Sequence, residues 1–200
     1  MLIDAAKGVE KQTRKLYEVC RLRKMPIFTF ANKMDRDGKE PLEIIDDVEN
    51  TLGIVCYPVT WPIGMGDRFK GLYHRIQNKL YLYQRGSEEP EVISVSGWND
   101  ENIQEYVGEE LYLKLQEDME LLEAAIGPFE KEDFLSGEIS PMTFGSAKYN
   151  WGVDLFLDLF AKEAPGPGVR KTQMGTIDPK DKSFSGFIFK IQANMDRKHR

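Results

Sequence analysis

Cysteine and histidine are scarce, with two of each in 200 residues. Cys20 and Cys56 lie in apolar patterns without metal-ligand spacing, and both read as reduced core residues, which suits a cytoplasmic protein. His74 and His199 read as structural or solvated. No apolar run is long enough to span a membrane, no secretory signal is legible, and no internal repeat stands out. A positive excess is missing too. The formal net charge is -6 and the isoelectric point about 5.1, which removes a global basic footprint for nucleic acid. The chain also has no Gly-x-x-x-x-Gly-Lys-[Ser/Thr] phosphate loop. Its nearest approach, Gly64-Met65-Gly66-Asp67, lacks the Lys-Ser/Thr ending, opens no helical pattern and reads as a turn.

What is present is ordinary globular composition, 41% hydrophobic and 30% charged with 17 Gly and 10 Pro, enough for one domain with a sizeable core. The informative stretch is Pro26 to Asp35. A short apolar run, partly β-branched and aromatic, ends in Asn32-Lys33-Met34-Asp35. It reads as a buried strand carrying polar groups at its C-terminal end, where open α/β sheets bind ligands. The arrangement returns at Ile139 to Phe144, which runs into Gly145-Ser146-Ala147-Lys148.

Around these runs, Met1 to Asp4 reads as the tail of a buried strand. Val9 to Leu22 reads as a helix with Val9, Thr13, Leu16, Tyr17 and Cys20 on one face. Asp37-Gly38 turns the chain, Pro41 opens a second helix with Leu42, Ile45, Val48 and Leu52 as its stripe, and Gly53 ends it. Strand and helix alternating in this way predict a parallel sheet covered by helices. Then the rhythm changes. Ile54 to Thr60 reads as a strand, Trp61 to Gly71 as a turn-rich connector, and Leu72 to Tyr83 as one or two antiparallel strands. Glu88, Glu89 and Glu91 around Pro90 read as an exposed loop. Asn99 and Asp100 are placed to cap a short helix through Tyr106. Glu109 to Ile126 reads as a longer helix with Leu111, Leu115, Met119, Leu122 and Ile126 inward, stopped by Gly127-Pro128. Phe129 to Leu135 reads as a short helix. Trp151 to Lys162 reads as a final helix with Val153, Phe156, Leu157 and Phe160 inward. Ala164-Pro165-Gly166-Pro167-Gly168 marks a linker, and Phe184 to Ala193 reads as a strand that lacks its sheet.

Asn32-Lys33-Met34-Asp35 followed by Ser146-Ala147-Lys148 resembles the pair of guanine-reading loops of the translational GTPases. Narrower stretches resemble the bacterial release factor 3 branch of that family: Thr60 to Gly66, Phe69-Lys70-Gly71, Asn150 to Val153, Leu157-Asp158, Ala164-Pro165 and Phe187 to Arg200. An elongation factor G-like relative is the neighbouring alternative. The resemblance covers essentially the whole chain. It implies an α/β fold: a partial P-loop GTPase-type, mostly parallel sheet with helices on both faces, a mixed α+β insertion, and a C-terminal orphan strand. It implies a partial GTP-binding domain over 1–164 with its insertion at about 60–136, and a linker and truncated start of a β-barrel domain over 165–200.

The resemblance also implies roles. Asp35 accepts from guanine N1–H and its exocyclic amine, a donor pair that adenine does not offer. Asn32 faces the N7 side and ties the loops together, and the backbone N–H of Ala147 meets O6. The stems of Lys33 and Lys148 lie along the two faces of the base. The implied ligands are GTP and GDP, with Mg²⁺ held by residues outside this sequence. The implied partners are the ribosome and the class-I release factors that the whole protein recycles after termination. No Asp-x-x-Gly switch segment stands in the family's place, and no catalytic residue is assigned here. The sequence reads as an excised piece that hydrolyses no GTP alone, or even a folded fragment without nucleotide affinity of its own. Exposed strands also predict strand-mediated self-association, with Phe187 and Phe189 as contacts.

Overall fold

The computed structural model describes residues 1–87, 89–173, 175–186, 188 and 190–191. The chain divides into two compact units, Met1–Ala164 and Pro165–Arg200.

The first unit is organised by four short parallel strands flanked by helices. β1 (Leu2–Asp4) leads through α1 (Lys11–Leu22) to β2 (Thr29–Asn32), which leads through α2 (Pro41–Leu52) to β3 (Val55–Pro58). Parallel strands need a crossover connection, usually a helix, and the sequence supplies one each time. α2 starts where Pro41 fixes φ, and the Glu40 N–H donates to the Glu43 carboxylate at 2.9 Å. Gly53, at φ 68°, ends the helix in the left-handed region. Ile44 and Val48 on its inner face are fully buried, each contributing roughly 1.5–3 kcal/mol by burial.

After β3 the chain leaves this sheet. β4 (Thr60–Ile63), β5 (Gly71–His74), β6 (Lys79–Leu82) and β7 (Glu91–Ser94) form a second, antiparallel sheet in sequence order. A 3₁₀ turn at Gly66–Arg68 links β4 to β5. α3 (Ile103–Val107) and α4 (Glu109–Ala125) follow, then α5 (Lys131–Ser136). The chain then returns as β8 (Ile139–Phe144), which inserts between β2 and β3 to give the order β1-β2-β8-β3. α6 (Val153–Glu163) closes the unit. Phe28 and Phe30 meet rings from two helices, with Phe28 to Phe134 at 4.8 Å, Phe28 to Phe160 at 5.3 Å and Phe30 to Phe156 at 5.5 Å between centroids. Such tilted and edge-on pairs add about 0.5–1.5 kcal/mol each beyond area burial. In the second unit, β9 (Arg170–Thr172) and β10 (Gly175–Ile177) pair as an antiparallel hairpin.

Several expectations change. The expected strand Ile54 to Thr60 ends at Pro58, and Trp61 to Ile63, expected to open a connector, form with Thr60 a buried strand of the second sheet. Turn residues concealed it. Pro62 is tolerated because β4 is an edge strand. Glu91 lies in β7 rather than in an exposed loop. Of the run from Pro26 to Asp35, only Thr29–Asn32 forms the strand. Cys20 is half-buried, not core, and Leu16 is exposed. On α6 the buried residue is Leu155, whereas Leu157 is exposed and Phe160 about half exposed. The helix is rotated so that Phe156 and Phe160 reach the rings of Phe28 and Phe30. Asn99 and Asp100 do not cap α3. Asp100 instead accepts from the Ser96 and Asn102 N–H groups, closing the turn before it. The hairpin of the second unit had no sequence signal. Of the expected strand Phe184 to Ala193, Phe187, Phe189, Gln192 and Ala193 lie outside the described residues, and the rest carry no strand assignment.

Candidate functional site

β2 and β8 are neighbours in the parallel sheet, with Ala31 opposite Phe144. Their C-terminal ends therefore deliver Asn32 and Gly145 to the same edge, the position where open α/β sheets bind ligands. The backbone joins the two loops directly, because the Met34 N–H donates to the Gly145 carbonyl at 3.0 Å.

Side chains complete the link. Asn32 Oδ1 accepts from the Lys33 N–H at 2.8 Å and from the Ala147 N–H at 2.9 Å, so one amide oxygen spans both loops. Lys33, at φ 74°, holds the left-handed backbone that the turn requires. Asp35 is 9% exposed. Its Oδ1 accepts from the buried Ser146 hydroxyl at 2.6 Å, a short, charge-assisted bond. Its Oδ2 lies 3.9 Å from Arg36 Nε, too far for a hydrogen bond. A carboxylate oxygen held in place and lacking a close donor among the described residues suits a ligand that brings donors of its own.

Four of the six residues, Asn32, Asp35, Ser146 and Ala147, thus form one connected cluster. Lys33 and Lys148 flank it. The Lys33 ammonium pairs with the Asp4 carboxylate, and the Lys148 ammonium sits 4.6 Å from the centre of the Tyr149 ring. Asp4 escaped sequence reasoning, although its signal was present: β1 and β2 are parallel and Asp4 stands opposite Asn32. Burial alone would push the Asp4 carboxyl up. The Lys33 ammonium and the N–H groups of Ala6 and Lys7 outweigh it and hold the group below the usual carboxylate range. The second loop also has a brace that the sequence hid. Ser146 and Trp151 exchange two backbone hydrogen bonds of 2.9 Å, and the indole of Trp151 is buried.

Among the described residues no group of three or more His, Cys, Asp or Glu is placed to hold a metal ion. Nor is any helix among them long and apolar enough to cross a membrane.

Two polar loops joined at the C-terminal ends of adjacent parallel strands mark the edge at which open α/β sheets bind ligands, and comparison with known proteins gives the class. Residues 1–166 match the family described as the elongation factor Tu GTP binding domain; the chain belongs to that family. Within it, the chain is similar to the proteins named peptide chain release factor 3. It is 50% identical to that of Trichodesmium erythraeum (strain IMS101) over 202 residues, which is 100% of this chain and 37% of the relative. It is 50% identical to that of Gloeobacter violaceus over 100% of this chain and 38% of the relative. For Gloeothece citriformis the identity is 51%, over 100% of this chain and 37% of the relative. The resemblance to release factor 3 is thus borne out, and the chain spans well under half the length of these relatives. A crystal structure of a protein from Thermus thermophilus superposes with a TM-score of 0.58 at 21% identity, covering 88% of this chain and 30% of that one. That likeness shows the fold.

Proposed function

We propose that this chain carries the guanine-reading half of a GTP-binding domain, in a translation-termination GTPase of the release factor 3 kind. Asp35, oriented by Ser146, accepts from the N1–H and exocyclic amine of GTP or GDP. Asn32 faces the N7 side, and the Ala147 N–H, which donates to Asn32 Oδ1 in the structure, turns toward O6 when the base enters. Lys33 and Lys148 cover the base. In this reading residues 1–164 are part of that domain, with residues 60–136 inserted into it, and residues 165–200 begin the next domain. The whole protein would act in the cytoplasm on the ribosome, hydrolysing GTP while it removes class-I release factors. The observation that carries the reading is the Asp35 carboxylate, buried, tied to Ser146 through Oδ1 and, among the described residues, lacking a close donor on Oδ2.

The test is a change of base preference. Asp35→Asn places an amide donor against guanine N1–H, whereas xanthine offers a carbonyl oxygen at C2. In the longest polypeptide that carries this sequence, the variant should lose about 2–4 kcal/mol of GDP affinity, one charge-assisted pair plus an unsatisfied donor. It should gain xanthosine diphosphate over GDP in competition binding. Guanine preference retained in the variant would sink the assignment.

A further inference from the structure

The second base loop is held by residues that belong to neither loop. The Gly152 N–H donates to the Tyr83 phenol oxygen at 3.0 Å. Phe69 stacks on Trp151 with centroids 4.9 Å apart and planes 8° from parallel, and Trp151 stacks on Tyr149 at 4.8 Å. Gly152 sits at φ 71°, and a Cβ there would come within 2.6 Å of Leu72 Cδ1. The inserted sheet also reaches the other parts of the site. The Gly66 N–H donates to the Met34 carbonyl at 2.9 Å, and the Phe144 N–H, at the end of β8, donates to Thr60 Oγ1 at 3.1 Å.

These contacts form a connected path. Tyr83 fixes Gly152; Gly152 follows Trp151; Trp151 is paired through its backbone with Ser146; and the next N–H is that of Ala147. Burial pushes the Tyr83 phenol up, so it stays a neutral hydroxyl at neutral pH. We infer that Tyr83 is a positioning residue for base recognition: its hydroxyl holds the loop from which the Ala147 N–H, which donates to Asn32 Oδ1 in the structure, turns to guanine O6. The inference rests on the guanine reading of the site. It assigns to the inserted sheet a direct part in nucleotide selectivity.

Base analogues separate this from general support. In 6-thio-GDP a poor acceptor replaces O6 while N1–H and the amine remain; IDP lacks only the amine that faces Asp35. Tyr83→Phe keeps the ring and removes the hydroxyl. Titrated in the longest polypeptide that carries this sequence, it should lower the preference for GDP over 6-thio-GDP by about three- to tenfold, the effect of one net hydrogen bond. The preference for GDP over IDP should stay. Tyr81→Phe is the control, since Tyr81 lies in β6 two residues before Tyr83 and its hydroxyl donates to Gln77 Oε1 at 3.0 Å. It should move neither ratio. Amide exchange at Ala147 and Gly152 should quicken in Tyr83→Phe alone. Unchanged ratios in Tyr83→Phe, or equal losses in both variants, would overturn the inference. A parent protein that prefers GDP to neither analogue would overturn the guanine reading itself, and this inference with it.

Discussion

Two buried groups are arranged in opposite ways. Asp35 stays buried because one oxygen is satisfied by Ser146 while the other is left for a donor. Burying a carboxylate in this way costs free energy, and such half-satisfied groups collect at functional sites. His74 has no such role. Its Nδ1 accepts from the Gln77 N–H at 3.3 Å, and burial, reinforced by Lys79 and Lys162, lowers its pKa from 6.5 to about 4. The unfolded chain therefore binds a proton at His74 that the folded protein refuses. Stability should be intact above pH 6.5 and fall as the pH drops from about 6.5 to about 4. The loss should reach roughly 2–3 kcal/mol. Denaturant midpoints across that window check it: His74→Gln should flatten the slope, and an unaltered slope in the variant would place the pH dependence elsewhere.

Elements with strict periodicity and clear punctuation could be read from the sequence. α2 could, because Pro41 and Gly53 mark both ends; so could β8, because Ile139 to Phe144 is a continuous buried run. β8 carries Pro141 in an interior strand, and this is tolerated because the ladder to β2 begins at Met142. Asn32, Asp35, Ser146 and Ala147 were equally legible as strand-end motifs. What stayed hidden depends on contacts between distant segments. β4 looked like a connector because Pro62 and the glycines after it read as turn residues and because it packs against α4, far along the chain; Tyr83 is one tyrosine among eight in the sequence. The link from β4 to α4 shows the point. Trp61 Nε1 donates to Asp118 Oδ2 at 3.1 Å in a buried setting, and Lys114 holds Oδ1 at 3.0 Å. Asp118→Leu should cost about 2–4 kcal/mol by stranding the indole N–H, whereas Asp118→Asn, which keeps an acceptor, should cost about half as much or less. Thermal or chemical unfolding of the two variants decides it, and equal losses would mean that the bond to Trp61 is not what joins the elements.

For the whole molecule, the decisive asymmetry lies between the two edges of the parallel sheet. At the β3 edge the Cys56 N–H already donates to Glu49 Oε1 at 2.8 Å, so a side chain occupies the ladder position. At the β1 edge the walls are apolar. A groove of about 570 Å³ is lined there by Met1, Leu2, Leu16, Ile27, Phe28 and Phe160 among others. Leu2 is 67% exposed and Leu16 65%. Parallel strands are normally covered on both faces, and an apolar edge with open backbone groups is a template for another strand. The 200-residue chain on its own should therefore associate through β1, with a sedimentation coefficient that rises with concentration in the micromolar range. Placing charge on the rim, with Leu2→Lys and Leu16→Lys together, should restore a monomer, since edge lysines block strand pairing. Val55→Lys, on the β3 edge, should leave the association as it was. A parent chain that sediments as one species at every concentration would remove the premise. Association that survives the Leu2 and Leu16 changes but yields to Val55→Lys would move the contact to the opposite edge.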